Sequence, residues 1–200
     1  MASGEARQWV SFGTELFLAH ATDLSGPSAL PGWTRKHLAA HVAANADALG
    51  NLVHWARTGE RTPMYASPDQ RNADIEAGAQ LSEARLTSWL QGSARSLASG
   101  MASLTPEQWR AEVVTAQGRT VPATEIPWLR AREVCVHATD LGTGLTFADL
   151  PEAFLSALAA EIRVKRGLDT VPDGPLPDVA AYLAGRPHSL AGVPDLGPWL

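Results

Sequence analysis

Apolar residues recur at three- and four-residue steps along most of the chain, which is the period of amphipathic helices. In residues 5–25 this spacing predicts a first helix. Prolines then interrupt the pattern, and Thr34 offers a hydroxyl N-cap for a second helix that runs until Gly59. At about six turns, the second helix is long enough to belong to a bundle.

The same period continues beyond the second helix. It predicts a short helical piece at 69–77 and longer helices at 82–105, 124–142 and 151–166. Between them, β-branched residues flank Gln117 and Gly118, which is typical of a short hairpin. The chain is therefore predicted to be mainly α: an up-down four-helix bundle with a short β-hairpin excursion and a short C-terminal extension.

The end of the chain has a different composition. After Gly167, repeated prolines leave room only for a short helix near 179–184. We therefore expect a helical bundle over residues 1–166 and a proline-rich C-terminal arm over residues 167–200 that lies on it.

Composition and charge exclude several classes of protein. The 200 residues are 45% hydrophobic and 18% charged, with a net charge of −5, which is unlike a disordered chain or a basic nucleic-acid-binding surface. No apolar run reaches the roughly 20 residues that span a bilayer. Glu5 and Glu15 lie where a signal peptide would be basic and then apolar, so we expect a cytoplasmic protein.

Polar residues with metal-binding chemistry fall on two of the predicted helices. Glu133 and His137 are four residues apart and share one helix face, to which Asp140 returns. On the second helix, His37 and His41 form a similar stripe, which Asn45 continues. If these helices face each other, they can bring together a carboxylate and two imidazoles, the ligands of a catalytic zinc site.

Spacing alone leaves this prediction open. Either His37 or His41 could be the ligand, and both could instead be ordinary hydrogen-bonded histidines. The single cysteine, Cys135, excludes an internal disulfide and lies about 200° from Glu133 around its helix, so we expect it in the core. Arg71 and Arg186 would suit a dicarboxylate if they met at one mouth of the bundle, because each guanidinium can bind a carboxylate through two hydrogen bonds.

Two blocks of sequence carry a resemblance to a known family. They are GWTRKHLAAHVAANADALGNLVHWARTGERTPMYASPDQRN at 32–72 and TAQGRTVPATEIPWLRAREVCVHATDLG at 115–142, accompanied by the closing AGR and PWL segments. Together they resemble the mycothiol-dependent maleylpyruvate isomerases, within the superfamily of DinB-like four-helix-bundle metalloenzymes. The resemblance implies a divalent metal, generally zinc, bound by His41, Glu133 and His137. It also implies a C-terminal region that is reduced relative to the family's.

The resemblance further implies an activity and a set of roles. It implies isomerisation of maleylpyruvate to fumarylpyruvate in gentisate-type aromatic degradation, by reversible addition of mycothiol. Arg71 and Arg186 would bind the dicarboxylate substrate or act in catalysis. Asn45 is a candidate contact to the cofactor, and Asp140 a candidate partner for a ligand imidazole.

Two other functions fit the same residues. A mycothiol S-transferase would attach the thiol to another electrophile without expelling it, and a non-catalytic bundle would bind a metal only. We expect no nucleic-acid or membrane partner, and a monomer or a homodimer.

Overall fold

The computed structural model describes residues 3–199 and divides the chain into two compact units, with the division between Gly142 and Thr143. Five helices and one hairpin build the first unit: α1 Ser3–His20, α2 Arg35–Thr58, α3 Pro68–Ala79, α4 Glu83–Ala102, β1 Glu112–Val114, β2 Thr120–Pro122 and α5 Ile126–Asp140. The second unit contains α6 Glu152–Lys165 and α7 Leu176–Leu183.

Four long helices of the first unit form the predicted bundle. Helix α1 packs on α5, α2 packs on both α4 and α5, and α3 packs on the outside of α2. The approach of α1 to α5 is close at Gly13, where a Cβ atom would lie 2.6 Å from Cys135 Sγ. The mainly α fold class is confirmed, and helices α2 and α5 lie side by side in it.

The second helix has the predicted ends. Thr34 accepts a hydrogen bond from the backbone N–H of His37, whose ring accepts one from Thr34 N in return, and this closes a capping box. At the other end Gly59 adopts a left-handed φ of 77°, and its N–H donates to the carbonyl of Trp55. The rigid helix that carries His41 is thus fixed at both termini.

The first helix ends earlier than its apolar period predicts. Helix α1 stops at His20, and Asp23 Oδ1 then accepts hydrogen bonds from the backbone N–H and hydroxyl of Ser25. This local side-chain turn competes with continued helix. The predicted hairpin is present, with Val113 paired to Val121 and Gly118 at a left-handed φ of 77°.

Helix α6 packs against α7 and groups with the C-terminal segment, with the division between Gly142 and Thr143. The assignment of a bundle to residues 1–166 and an arm to residues 167–200 stays a prediction. Helix α7 starts before the predicted 179, because Pro177 lies in its first turn, where a missing N–H costs nothing. That this region is reduced relative to the family's stays a prediction.

A half-buried arginine organises the second unit. Arg166 follows α6 and donates to the carbonyls of Leu183, Leu196 and Gly197, at 3.0, 2.6 and 2.8 Å. The segment after α7 is therefore folded back within its own unit. Among the described helices, none is both long and apolar enough to cross a membrane.

Candidate metal centre

Three side chains from α2 and α5 meet inside the bundle. His41 Nε2 lies 2.9 Å from Glu133 Oε2, and His137 Nε2 lies 3.4 Å from the same oxygen. One ligand atom from each residue lies within 4.8 Å of the others, and both histidines are buried. Two imidazoles and a carboxylate at this spacing can bind a divalent ion while leaving a coordination position open.

The structure distinguishes between the two histidines of the second helix. His41 faces Glu133, whereas His37 lies at the start of α2 and is engaged in the capping box with Thr34. His37 Nε2 also lies 3.4 Å from Glu76 at the surface. The pattern that could have separated them is the threonine three residues before His37, which is typical of a capping box rather than of a metal ligand.

The charges in the cluster are set by competition between burial and hydrogen bonding. Burial opposes ionisation of Glu133, but its hydrogen bonds with His137 and His41 outweigh burial and hold its pKa well below the ordinary value. Burial also lowers the pKa of His41, although Glu133 opposes that shift. Glu133 is therefore an anionic carboxylate, and His41 is a largely neutral imidazole, as metal ligands must be.

Asp140 lies where the spacing predicted it. Its Oδ2 atom is 2.8 Å from His137 Nδ1, and both side chains are buried. Burial disfavours the charged form of His137, but Asp140 and Glu133 together raise its pKa to about 9. The contact fixes the ring of His137 with its Nε2 towards Glu133, which is the arrangement that a metal-binding imidazole commonly has.

Arg71 reaches the cluster from α3. Its Nη2 atom lies 3.2 Å from His41 Nδ1, and its Nη1 donates to Asn72 Oδ1 at 3.1 Å. The guanidinium carbon lies 5.9 Å from the ring centre of Tyr65. A cation is thus present at the rim of the candidate metal centre, as predicted, while its role towards a substrate stays a prediction.

Tyr65 and Trp33 are the site residues that sequence reasoning missed. Burial followed by the charge of Glu133 raises the pKa of Tyr65, although Arg71 opposes the shift, so the phenol stays protonated. Trp33 lies 5.5 Å from the ring of His41. Both residues lie in loops, where no periodicity marks a side chain, and only their closeness in sequence to Arg71 and His41 could have indicated them.

Asn45 is buried one turn beyond His41, where it contacts Arg130 from α5. Arg130 Nη1 donates to Asn45 Oδ1 at 2.9 Å and to the carbonyl of Val42 at 2.7 Å. Burial lowers the pKa of Arg130 to about 10, so it remains a cation at neutral pH. Asn45 therefore helps to solvate a buried charge, and its contact to a cofactor stays a prediction.

Two further candidates remain: Cys135, which points away from the cluster, and Arg186, which belongs to the other unit of the chain. Cys135 is buried with its Sγ 3.7 Å from the carbonyl of Trp9, and burial raises its pKa to about 12, which confirms its place in the core. Arg186 belongs to the second unit, where it is buried and donates to the carbonyl of Ala184 at 2.9 Å. Its role towards a substrate also stays a prediction.

A helical bundle whose interior gathers two histidines and a glutamate from neighbouring helices defines a class of candidate metalloproteins. The comparisons with known proteins identify the family within that class. The model of the mycothiol maleylpyruvate isomerase N-terminal domain matches residues 6–142. The chain belongs to the mycothiol-dependent maleylpyruvate isomerase family.

Solved structures agree with this assignment. The crystal structure of a mycothiol-dependent maleylpyruvate isomerase is 38% identical, with a TM-score of 0.90 over 100% of this chain and 98% of that chain. The crystal structure of a histidine-to-alanine mutant of such an isomerase is 37% identical, with the same TM-score and coverage. No curated protein matches the chain.

Proposed function

We propose that the protein is a metal- and mycothiol-dependent cis-trans isomerase that converts maleylpyruvate to fumarylpyruvate in gentisate-type aromatic degradation. The observation that carries the proposal is the convergence of His41, Glu133 and His137 in a chain of this family. The same proposal makes zinc the first metal to test, because a site with two imidazoles, one carboxylate and an open position suits it.

The donor set fits a divalent metal on grounds internal to the structure. Glu133 is ionised and His41 is neutral, and Asp140 orients His137 so that its Nε2 faces the other two ligands, although His137 must release a proton when the metal binds. When bound, the metal would favour thiolate over thiol or polarise the substrate carbonyl as a Lewis acid. The protein's own contribution is to orient these three ligands before the metal arrives.

The chemistry of cis-trans isomerisation requires a nucleophile, since a double bond must become single before it can rotate. When bound, mycothiol would supply a thiolate that adds to the conjugated alkene and is expelled after rotation. Cys135 cannot take this role, because its Sγ faces α1 and burial raises its pKa to about 12. An external thiol is therefore the reasonable source.

The first unit also has room for a polar cofactor. A cavity of about 690 Å³ lies between α2, α3 and α4, and Tyr65 forms part of its wall. Asp47 and Trp89 also line it, joined by a 2.7 Å hydrogen bond from the indole N–H to the carboxylate. The volume is in the usual range for small-molecule sites, so this cavity is the candidate location for the hydroxylated part of the thiol.

The arginines complete the proposed assignment. The guanidinium of Arg71 would bind a substrate carboxylate and stabilise the enolate that forms when the thiol adds. Arg186 is proposed as a second contact to the dicarboxylate. Tyr65 would orient Arg71 by packing beside it.

The decisive experiment incubates zinc-loaded protein with mycothiol and maleylpyruvate and follows both substrate and free thiol. We expect substrate to disappear while the thiol concentration stays constant, because the thiol is expelled in each turnover. Stoichiometric consumption of thiol would instead indicate an S-transferase. Rapid isomerisation without added thiol would overturn the addition scheme.

Metal analysis provides a second test of the same proposal. We expect close to one divalent ion per chain, and its loss in His41→Ala and Glu133→Ala. The matched control is His37→Ala, which removes a neighbouring imidazole of the same helix and should retain the ion. Wild-type protein that binds no metal after zinc is supplied at neutral pH would contradict the proposed metal dependence.

A further inference from the structure

The two histidines of the candidate metal centre have opposite partners at their second ring nitrogen. His137 Nδ1 lies 2.8 Å from a carboxylate oxygen of Asp140. His41 Nδ1 lies 3.2 Å from Nη2 of Arg71, which is a guanidinium nitrogen. One imidazole therefore faces an acceptor and the other faces a donor.

This difference matters when the imidazoles act as ligands. A neutral imidazole that gives its Nε2 lone pair to a metal carries its proton on Nδ1 and becomes a hydrogen-bond donor there. Asp140 can accept that bond from His137. Arg71 cannot accept one from His41, because a guanidinium has five N–H donors and no acceptor.

Among the described residues that contact His41, none provides a carboxylate acceptor at Nδ1, so the acceptor must come from a ligand. Glu133 is engaged at the Nε2 edge of the ring, at 2.9 Å. Trp33 packs beside the ring, with 5.5 Å between ring centres. Asn72 accepts from Nη1 of Arg71 rather than from the histidine. A carboxylate oxygen has enough lone pairs to accept from both His41 Nδ1–H and Arg71 Nη2–H.

We propose that His41 Nδ1–H and Arg71 Nη2–H form a carboxylate subsite, in which a bound carboxylate and the metal strengthen each other's binding. The inference rests on the proposed function in taking the substrate's carboxylate as the ligand. In this subsite the substrate's carboxylate accepts a hydrogen bond from His41 Nδ1–H, as Asp140 can accept one from His137 Nδ1–H. Thermodynamic reciprocity then requires that metal tightens the carboxylate by the same factor.

The electrostatics of the ligand-free site point in the same direction. The guanidinium of Arg71 faces His41 Nδ1, so this ring lacks the carboxylate partner that His137 has in Asp140. A carboxylate placed there would increase its basicity, as outer carboxylate partners of metal-binding histidines do. His41 is thus the ligand whose strength depends on substrate.

The test uses maleate as a small dicarboxylate probe and measures zinc affinity by competition with a chelator. In the wild-type protein we expect maleate to tighten zinc binding by about tenfold, within the range seen for outer-partner effects. In Arg71→Ala the effect of maleate should vanish. Asp140→Asn is the matched control: it should weaken zinc binding but retain the maleate effect.

A conservative replacement separates hydrogen bonding from charge. Arg71→Gln removes the positive charge but keeps N–H donors on a shorter side chain, so maleate should tighten zinc binding less than in wild type. An equal maleate effect in wild type and Arg71→Ala would overturn the subsite, because maleate would then act on the metal alone.

Nuclear magnetic resonance of the imidazole N–H groups gives a direct readout. With zinc bound, maleate should shift the Nδ1–H signal of His41 and leave that of His137 unchanged. An unmoved His41 signal under saturating maleate would overturn the inference. If the protein isomerises maleylpyruvate but maleate does not affect zinc binding, only the subsite is overturned. If maleate tightens zinc binding but the protein does not isomerise maleylpyruvate, the subsite is supported and the proposed function is overturned.

Discussion

Glu133 is the residue on which the candidate site is centred, since one of its oxygens lies within hydrogen-bond reach of both imidazoles. It is buried in the bundle and yet ionised, because His137 and His41 supply the hydrogen bonds that water would otherwise provide. A carboxylate held in this way is already in its metal-binding form. The cost of desolvating it is met during folding rather than when the ion binds.

Tyr65 allows a prediction about a single hydroxyl. Tyr65→Phe keeps the ring beside Arg71 but removes the hydroxyl, whose electrostatic interaction with the guanidinium helps to position it. We expect kcat/KM for the proposed isomerisation to fall at least about tenfold while Tm changes little. Tyr65→Leu, which also loses the ring, should be worse. An unchanged kcat/KM in Tyr65→Phe would exclude the positioning role.

Cys135 gives a prediction about reactivity. Its thiol is buried, and its pKa is raised to about 12, so almost no thiolate exists at neutral pH. We expect the folded protein to resist a disulfide-exchange reagent over minutes and to show one reactive thiol per chain after unfolding in guanidinium. Fast reaction of the folded protein would contradict the core position and weaken the case for an external thiol.

Helix α2 shows how a complete element positions a ligand. Its N-terminus is fixed by Thr34 and His37, and its C-terminus by Gly59. Two turns of almost wholly buried residues follow the cap, and His41 lies among them. A helix fixed at both ends has little freedom to rotate, so the imidazole keeps its direction towards α5.

The cap can be tested separately from the metal site. Thr34→Ala removes the hydroxyl that accepts from His37 N, and such losses cost about 1 kcal/mol. We expect this decrease in the free energy of unfolding in urea, with the zinc stoichiometry unchanged. Thr34→Ser, which retains a hydroxyl, should restore most of the loss. A Thr34→Ala variant as stable as wild type would show that the capping box contributes little.

Whole-molecule stability is expected to depend on the metal, because the ligands come from helices far apart in sequence. An ion that binds only the folded state stabilises it by about 2.7 kcal/mol at a concentration one hundred times its Kd. We expect zinc to raise Tm and to slow hydrogen exchange in α2 and α5, which carry all three ligands. His41→Ala should show neither effect. Equal zinc protection in that variant would mean that the ion binds elsewhere.

The fold could be predicted from sequence wherever a residue type directly marks the end of a helix. Thr34 and Gly59 are residue types that end helices for simple steric and hydrogen-bonding reasons, so α2 was predicted to the residue. The end of α1 was not, because the turn from Asp23 to Ser25 overrides an apolar period that continues beyond it. The domain boundary at 166 stays a prediction, because proline content says nothing about which helix α6 packs on.

The site was predictable to a similar degree. Helical spacing placed Glu133, His137 and Asp140 on one face of α5, and the structure brings the first two to His41. Spacing could not separate His41 from His37, since both lie on the same face of α2, and the family resemblance was needed. The position of Tyr65 and the contact between Arg71 Nη2 and His41 Nδ1 could not be predicted, because both depend on the path of a loop in the folded structure.

The cluster of carbonyls around Arg166 has a practical consequence for anyone engineering this chain. Two of its three bonds hold Leu196 and Gly197 in the segment that follows α7, while Asp178 accepts from both the N–H and the hydroxyl of Ser189. Residues 190–194 lie between these anchors and behave as a tethered span. Inserted peptides should be tolerated within that span, whereas replacing Arg166 would release its C-terminal border and leave Asp178 holding the border at Ser189.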